Sequence, residues 1–133
     1  MTKTIEQTVK FAATPRQLYD IFIDPKKHAA LTGGPVKISA KPGSKFEAFG
    51  GQLWGSTVST IPGKQIIQRW RSCNFKQTDM DSMLVLTFVP DGTGARIEMI
   101  HANVPKQDHK GVTKGWPKYY WEPLKAYLKR WKK

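Results

Sequence analysis

The stretch TKGWPKYYWEPLKAYLKRWKK, residues 113–133, decides the fold that we predict for this chain of 133 residues. At about 100° per residue, an α-helix places the aromatic and leucine side chains of this stretch on one face and its lysines on the other. The apolar face consists of Trp116, Tyr120, Leu124, Tyr127, Leu128 and Trp131, and the basic face of Lys114, Lys118, Lys125, Lys129 and Lys132. We therefore predict a long C-terminal helix whose aromatic face packs on the rest of the domain.

Two prolines lie within this stretch and restrict its helical structure. Pro117 has no N–H for the hydrogen bonds of a helix, so we expect regular helix to begin at 113–116. Pro123 lies deeper in the stretch and is expected to kink the helix.

Two short helices are predicted near the N-terminus, after a first strand at 5–11. The segment Thr14–Gln17 is a capping box with proline at the first helical position, which starts a helix. The pair Asp24-Pro25 repeats the signal for a second helix, which the glycine pair and proline at 33–35 end.

From residue 36 to residue 104 the apolar pattern alternates, and turns rich in proline and glycine divide the segment into strands. We expect six strands there, at 36–40, 45–49, 52–61, 65–73, 83–90 and 95–104. Together with the strand at 5–11, they make a seven-stranded antiparallel sheet. Residues 1–133 are then a single α+β domain in which the C-terminal helix covers the apolar face of the sheet.

The charge of the chain is strongly basic and unevenly distributed. The formal net charge is +12, and residues 106–133 contribute nine Lys and Arg against two acidic residues, a net of +7. A solvated helix face is the commonest cause of such a run. The alternative is a surface that binds an acidic partner. No RNA-recognition strand, GxxG loop or zinc-finger spacing accompanies the charge, so nucleic acid is not the expected partner.

Cysteine use and hydropathy indicate a protein of the cytoplasm. The only cysteine, Cys73, leaves no internal disulfide and is interpreted as a small apolar residue within a strand. The N-terminus lacks the apolar core of a signal peptide, and no run of 18 apolar residues occurs in the sequence. We therefore expect a cytoplasmic protein without a membrane span.

Residues typical of catalysis or metal binding are scattered. His28, His101 and His109 stand far apart, and no spacing typical of metal ligands or of a nucleophile elbow is present. We therefore expect no metal, no cofactor and no catalytic residues, with an enzyme as the less favoured alternative.

His101 is the polar residue that the strand pattern turns toward the interior. Arg96 and Glu98 occupy the opposite face of the same strand, so alternation points His101 inward. It is either a hydrogen-bonded core histidine or a group that orients a ligand in an apolar cavity. In both cases burial should lower its pKa below about 6.5.

Several short motifs resemble one known domain family. They are Thr14-Pro15, Gly43–Phe46, Pro62-Gly63-Lys64, Trp70-Arg71, Val104-Pro105, Gly115-Trp116 and Tyr119-Tyr120-Trp121. The chain resembles the family named for the activator of the ninety-kilodalton heat-shock chaperone's ATPase, within the START-like, helix-grip superfamily. The resemblance implies a curved seven-stranded antiparallel sheet, an apolar cavity beneath a long C-terminal helix, and a role in the stress response.

Two functions follow from these observations. An aromatic stripe is most often plain core, and the alternative is a cavity for a small hydrophobic or aromatic ligand. For a non-catalytic module that binds such a ligand, the expected lining is Phe46, Leu86, Phe88, Ile97, Met99, His101, Trp116, Tyr120 and Leu124. For a co-chaperone-like module that binds a chaperone or another acidic protein, the expected contacts are Arg71, Lys114, Lys118, Lys125 and Lys129.

Overall fold

A twisted antiparallel sheet forms one layer of the computed structural model, which describes residues 1–131. Its strands are β1 (Thr2–Phe11), β2 (Lys45–Ala48), β3 (Leu53–Ile61), β4 (Gln65–Ser72), β5 (Ser82–Asp91) and β6 (Gly94–Pro105). The spatial order is β1-β6-β5-β4-β3-β2, and every neighbouring pair is antiparallel. The α+β class predicted from the sequence is confirmed.

The two short helices between β1 and β2 form where the sequence predicts them. Helix α1 (Pro15–Ile23) begins with a complete capping box, in which Thr14 Oγ1 accepts from Gln17 N and Gln17 Oε1 accepts from Thr14 N. Helix α2 (Pro25–Thr32) begins at Asp24, whose carboxylate accepts from two backbone N–H groups of the first turn. Local capping chemistry therefore sets both helix starts.

Within residues 1–131 the sheet has six strands rather than the predicted seven, because the segment at 36–40 does not form a strand. Only Lys37 makes an isolated bridge, to Glu47. The next carbonyls are occupied by side chains, since Thr57 Oγ1 donates to Ser39 O at 2.8 Å and Thr60 Oγ1 to the carbonyl of residue 40 at 3.1 Å. Alternate residues of the segment are buried, which explains the apolar pattern without a strand ladder.

The C-terminal helical segment begins seven residues before 113. It consists of α3 (Lys106–Trp116), a π-helical turn (Pro117–Trp121) and α4 (Glu122–Trp131). In the first two turns of α3 only Asp108 and Val112 are buried, so the apolar period there is too weak to identify a helix. The predicted start at 113–116 was therefore wrong.

The helix passes through Pro117 because a side chain of β1 replaces the missing donor. In an α-helix the N–H at 117 would bond to the carbonyl of Thr113, and proline has no N–H. Gln7 Nε2 donates to Thr113 O at 2.9 Å instead, while Trp121 Nε1 donates to Gln7 Oε1 at 2.6 Å. Gln7 thus joins both sides of the π-helical turn to the sheet. Pro123 follows directly after the π-helical turn, an irregularity of the hydrogen-bond ladder of the kind that proline accompanies.

The buried face of this segment recurs at every fourth residue. Its members are Asp108, Val112, Trp116, Tyr120, Leu124 and Leu128, with Trp121 as an additional buried residue. A spacing of four advances about 40° beyond each full turn of α-helix. The wider π-helical turn offsets that drift and keeps the face on the sheet. Tyr127 is half-buried, and the side chain of Trp131 lies outside the described residues.

Gln7→Met should lower the free energy of unfolding by about 2 kcal/mol, because it leaves a carbonyl and an indole N–H without a partner. Urea unfolding measures the change. Gln65→Met is the matched control: Gln65 Nε2 makes one half-buried bond of 3.3 Å to Thr87 Oγ1, so its loss should stay within about 0.5 kcal/mol. Equal losses in the two variants would show that Gln7 has no special role at Pro117.

Candidate functional site

A groove of about 300 Å³ lies between the C-terminal helical segment and the adjacent ends of β3 and β4. The helical segment lines it with Asp108, Gly111, Val112, Gly115, Trp116, Tyr119 and Tyr120. The opposite wall consists of Phe49, Gln52, Leu53, Trp70, Ser72, Cys73 and Asn74.

Two glycines keep the helical wall of the groove open. Gly111 and Gly115 are one turn apart and therefore lie on the same side of α3. A Cβ at Gly111 would lie 3.3 Å from Asp108 Oδ1, and a Cβ at Gly115 would lie 3.6 Å from Tyr119 Cδ2. Glycine in a helix costs about 0.5–1 kcal/mol relative to alanine. Here the missing side chains leave room between the helix and the sheet.

One end of the groove is polar and centred on Asp108, which is 5% exposed. Ser72 Oγ donates to Asp108 Oδ2 at 2.6 Å, and Asn74 Nδ2 donates to Asp108 Oδ1 at 3.2 Å. These bonds join the first turn of α3 to the end of β4. Within residues 1–131, no Lys or Arg forms an ion pair with this carboxylate.

The other end of the groove is aromatic. The rings of Trp116 and Tyr120 lie 4.8 Å apart, and Trp70 lies 6.4 Å from Trp116. Phe49 meets Tyr119 edge-on at 5.6 Å, and Tyr119 is 49% exposed. The groove therefore offers several ring surfaces to a flat apolar group.

Trp116 is held by a buried neutral histidine. Its Nε1–H donates to His101 Nδ1 at 3.1 Å. Because an indole N–H only donates, Nδ1 accepts, and the ring proton lies on Nε2, 2.9 Å from Ser82 Oγ. Ser82 in turn donates to the carbonyl of Trp70. Burial lowers the pKa of His101 from 6.5 to about 3, the direction expected from the sequence.

Tyr120, one turn later, is held in the same way by His28 of α2. His28 Nδ1 donates to the carbonyl of Phe22 at 2.8 Å, so Nε2 accepts from the Tyr120 hydroxyl at 2.9 Å. Burial lowers the pKa of His28 to about 4, although the bond to Phe22 opposes the shift. Burial also raises the pKa of the Tyr120 hydroxyl far above its usual value. Two neutral histidines thus hold adjacent turns of the helix.

Of the nine residues predicted to line a cavity, Trp116 and Tyr120 line the groove. His101 lies behind Trp116 and Trp70, two residues of the groove wall, and does not line the groove itself. The other six are buried in the core off the groove wall: Phe46, Leu86, Phe88, Ile97, Met99 and Leu124. The groove lies at the ends of β3 and β4 rather than over the middle of the sheet, and ligand binding by these residues stays a prediction.

The polar end of the groove was missed from the sequence. The sequence pattern identifies Asp108 only as a charge and predicts Cys73 as a small apolar residue within a strand. Cys73 is exposed, because β4 ends at Ser72 and the chain leaves the sheet there. The spacing of Gly111 and Gly115 was a usable signal, since two glycines one turn apart in a helix require a local reason.

The residues predicted to bind a partner divide into two groups. Lys114, Lys118, Lys125 and Lys129 are exposed. Arg71 is engaged within the chain: its guanidinium donates to the carbonyls of Lys76 and Asp79 at 2.8 and 2.6 Å and to Asp81 Oδ1 at 3.1 Å. Arg71 therefore organises the segment between β4 and β5, and it is not a free cation for docking.

Among residues 1–131, no group of three or more His, Cys, Asp or Glu side chains is arranged to hold a metal ion. In the same range, no helix combines the length and the apolar character needed to cross a membrane.

Residues 12–129 match the family described as Activator of Hsp90 ATPase homolog 1-like protein. The chain belongs to this family. The resemblance predicted from the sequence is therefore confirmed, and the chain is an Aha1-like domain related to Hsp90 co-chaperones.

Individual relatives agree with this assignment. The chain is 27% identical over 125 residues to the Activator of 90 kDa heat shock protein ATPase homolog of Dictyostelium discoideum, covering 93% of this chain and 32% of the relative. It is 26% identical over 122 residues to homolog 1 of Homo sapiens, covering 92% of this chain and 35% of the relative. The chain thus spans about a third of the length of the curated relatives it matches.

A solved structure shares the fold. The crystal structure of an HSP90 activator from Plasmodium falciparum superposes with a TM-score of 0.85 at 20% identity, covering 94% of this chain and 95% of that chain.

The buried histidines make stability depend on pH. In the unfolded chain both rings protonate near pH 6.5, whereas the native state keeps His28 and His101 neutral down to about pH 4 and 3. Stability is therefore retained above pH 6.5 and falls with acid, by up to about 2.7 kcal/mol per pH unit for two protons. Urea unfolding between pH 7.5 and about pH 4.5 measures this slope.

Two variants isolate the histidine contribution from that of the carboxylates. His101→Leu should remove one of the two protons that the chain takes up on unfolding. The free energy of unfolding should then depend on pH less steeply, by about 1.4 kcal/mol per pH unit. His109→Leu, which alters a half-exposed ring, is the matched control for the substitution itself. An unchanged slope in His101→Leu would contradict a buried neutral His101.

Proposed function

We propose that this chain is a non-catalytic binding domain whose groove binds a small ligand with a flat apolar or aromatic body. The observation that carries the proposal is the groove itself, in which Gly111 and Gly115 leave open space beside several aromatic rings. Its volume of about 300 Å³ lies at the lower end of the range of small-molecule sites.

The neighbouring histidines support binding rather than catalysis. General acid–base catalysis needs a titratable group within hydrogen-bond reach of the substrate. His28 and His101 lie behind the groove wall, and both nitrogens of each ring are already bonded within the protein. Among the described residues, the groove wall contains no His, Lys or Arg.

The same histidines favour a preorganised wall. Trp116 and Tyr120 are each held by a hydrogen bond from one side and by ring contacts from the other. A ligand that stacks on rings already fixed in place loses less binding free energy to ordering of the protein. Each aromatic contact contributes about 0.5–1.5 kcal/mol beyond the burial of area.

Gly115→Leu tests the groove by filling it. The neutral fluorescent probe N-phenyl-1-naphthylamine should bind the wild-type chain, and the variant should weaken binding at least about tenfold, a loss of 1.4 kcal/mol or more. Fluorescence titration measures the affinity, and thermal unfolding checks that the variant is folded.

Ala126→Leu is the matched control for this experiment. It adds a leucine to an exposed position of α4 that lies outside the groove, and it should bind the probe as the wild type does. Equal binding by the wild type and Gly115→Leu, or no binding by the wild type, would refute the groove as a ligand site.

A second function is supported by family membership and by the exposed lysines. We propose that Lys114, Lys118, Lys125 and Lys129 bind an acidic surface of a ninety-kilodalton heat-shock chaperone. Lys125 has a weak exposed partner in Glu122, 3.7 Å away, which a stronger acidic partner can displace. The net charge of +12 also attracts an acidic surface at long range.

Lys118→Glu combined with Lys125→Glu should leave the free energy of unfolding within about 0.5 kcal/mol of wild type, because both side chains are exposed. The pair should abolish salt-sensitive binding to the purified chaperone in fluorescence anisotropy. Lys3→Glu combined with Lys45→Glu makes the same charge change on exposed residues of the edge strands. Equal losses of chaperone binding in the two double variants would show that net charge alone attracts the chaperone. Full binding by Lys118→Glu/Lys125→Glu would exclude the lysine face of the helix as the docking surface.

A further inference from the structure

We infer that the groove selects an amine, that is, an alkylammonium group carried on a flat apolar or aromatic body. The inference rests on the proposed function of the groove and names the chemistry of its ligand. Asp108 provides the anionic contact, and the ring surfaces near Trp116 provide the apolar one.

Asp108 is a buried carboxylate whose partners within the chain are neutral. It is 5% exposed, and its two bonds come from a hydroxyl of Ser72 and an amide of Asn74. None of the described Lys or Arg side chains forms an ion pair with it. A buried charge without a counter-charge is costly, so a cation that enters the groove gains more from this carboxylate than from an exposed one.

The two oxygens of Asp108 have capacity for further donors. A carboxylate offers about four acceptor positions, and protein donors occupy two of them. Because Asp108 lines the groove, an ammonium group placed there can donate to the remaining positions. Charge-assisted bonds of this kind are about twice as strong as bonds between neutral groups.

The distance along the helix determines the length of the ligand. Trp116 follows Asp108 by eight residues, which is about 12 Å at the rise of an α-helix. The wall between them carries Gly111, Val112 and Gly115, so no large side chain of the helix interrupts it. A chain of four methylenes is about 6 Å long, and together with an ammonium–carboxylate bond of about 2.8 Å and the phenyl ring it covers most of this span.

The net charge of the whole protein opposes the binding of a cation. A net charge of +12 favours anions at long range, whereas Asp108 favours cations at contact. A preference for an amine over an anion of equal length would therefore report the local carboxylate and not the overall field.

Three probes of matched shape test the charge preference of the wild-type chain by calorimetry: 4-phenylbutylamine, 4-phenyl-1-butanol and 5-phenylpentanoate. The amine should bind about tenfold more tightly than the alcohol, a difference that corresponds to 1.4 kcal/mol, and the carboxylate should bind most weakly. This comparison needs no variant, so it decides the preference whatever Asp108 contributes to folding.

Asp108→Asn keeps the shape of the side chain and removes its charge. The variant should lose the preference for the amine and bind the alcohol within about twofold of wild type. Glu122→Gln removes an exposed carboxylate of the same helical segment and should retain the wild-type preference. Thermal unfolding confirms that each variant is folded.

The outcomes separate this inference from the proposed function. Binding of none of the three probes would overturn both. Equal binding of amine and alcohol, or tighter binding of the carboxylate, would overturn the inference alone. An amine preference that survives Asp108→Asn would overturn the assignment of Asp108.

The same amine chemistry could come from a free ligand or from a lysine side chain of another protein. The blocked dipeptide acetyl-Phe-Lys-amide, which carries only a lysine amine, identifies the source. Tighter binding of 4-phenylbutylamine supports a free amine, and tighter binding of the dipeptide supports a lysine donated by a protein.

Discussion

The structure depends on the attachment of the C-terminal helical segment to two buried, neutral histidines. Trp116 donates to His101 on β6, and Tyr120 donates to His28 on α2. Each histidine passes its own proton onward, His101 to the Ser82 hydroxyl and His28 to a backbone carbonyl, so both tautomers are determined. Buried polar groups with every partner present specify one arrangement of a core, because each alternative leaves a group unsatisfied. The aromatic stripe alone would fix the buried face of the helix less uniquely.

The groove is a consequence of how this segment crosses the sheet. Gln7 joins Thr113 and Trp121 across the proline, so the segment continues through a π-helical turn. At the beginning of the segment, Asp108 accepts hydrogen bonds from Ser72, at the end of β4, and from Asn74, two residues later. Between Asp108 and Trp121 the helical segment lines the groove with Gly111 and Gly115, and their missing side chains leave space there. The groove is therefore polar at the end of Asp108 and aromatic at the end of Trp116 and Tyr120.

The exposed lysines and the groove lie on different parts of the molecule. The exposed lysines face away from the buried stripe, whereas the groove lies between helix and sheet. Trp116 and Tyr120, which the buried histidines hold, line the groove, and the lysines extend from the same helical segment. Fold and family are shared with chaperone activators, and the two proposed functions use different surfaces of this chain.

The sequence by itself determined the features whose cause is local. Capping side chains next to prolines set the starts of α1 and α2, and period-two alternation identified the strands and turned His101 inward. Tertiary structure decided the rest. The segment at 36–40 lost its strand ladder to hydroxyls of β3, and α3 began at Lys106 because distant residues bond its first turn. The polar end of the groove likewise depends on Ser72 and Asp108, which lie 36 residues apart and meet only when the sheet and helix are assembled.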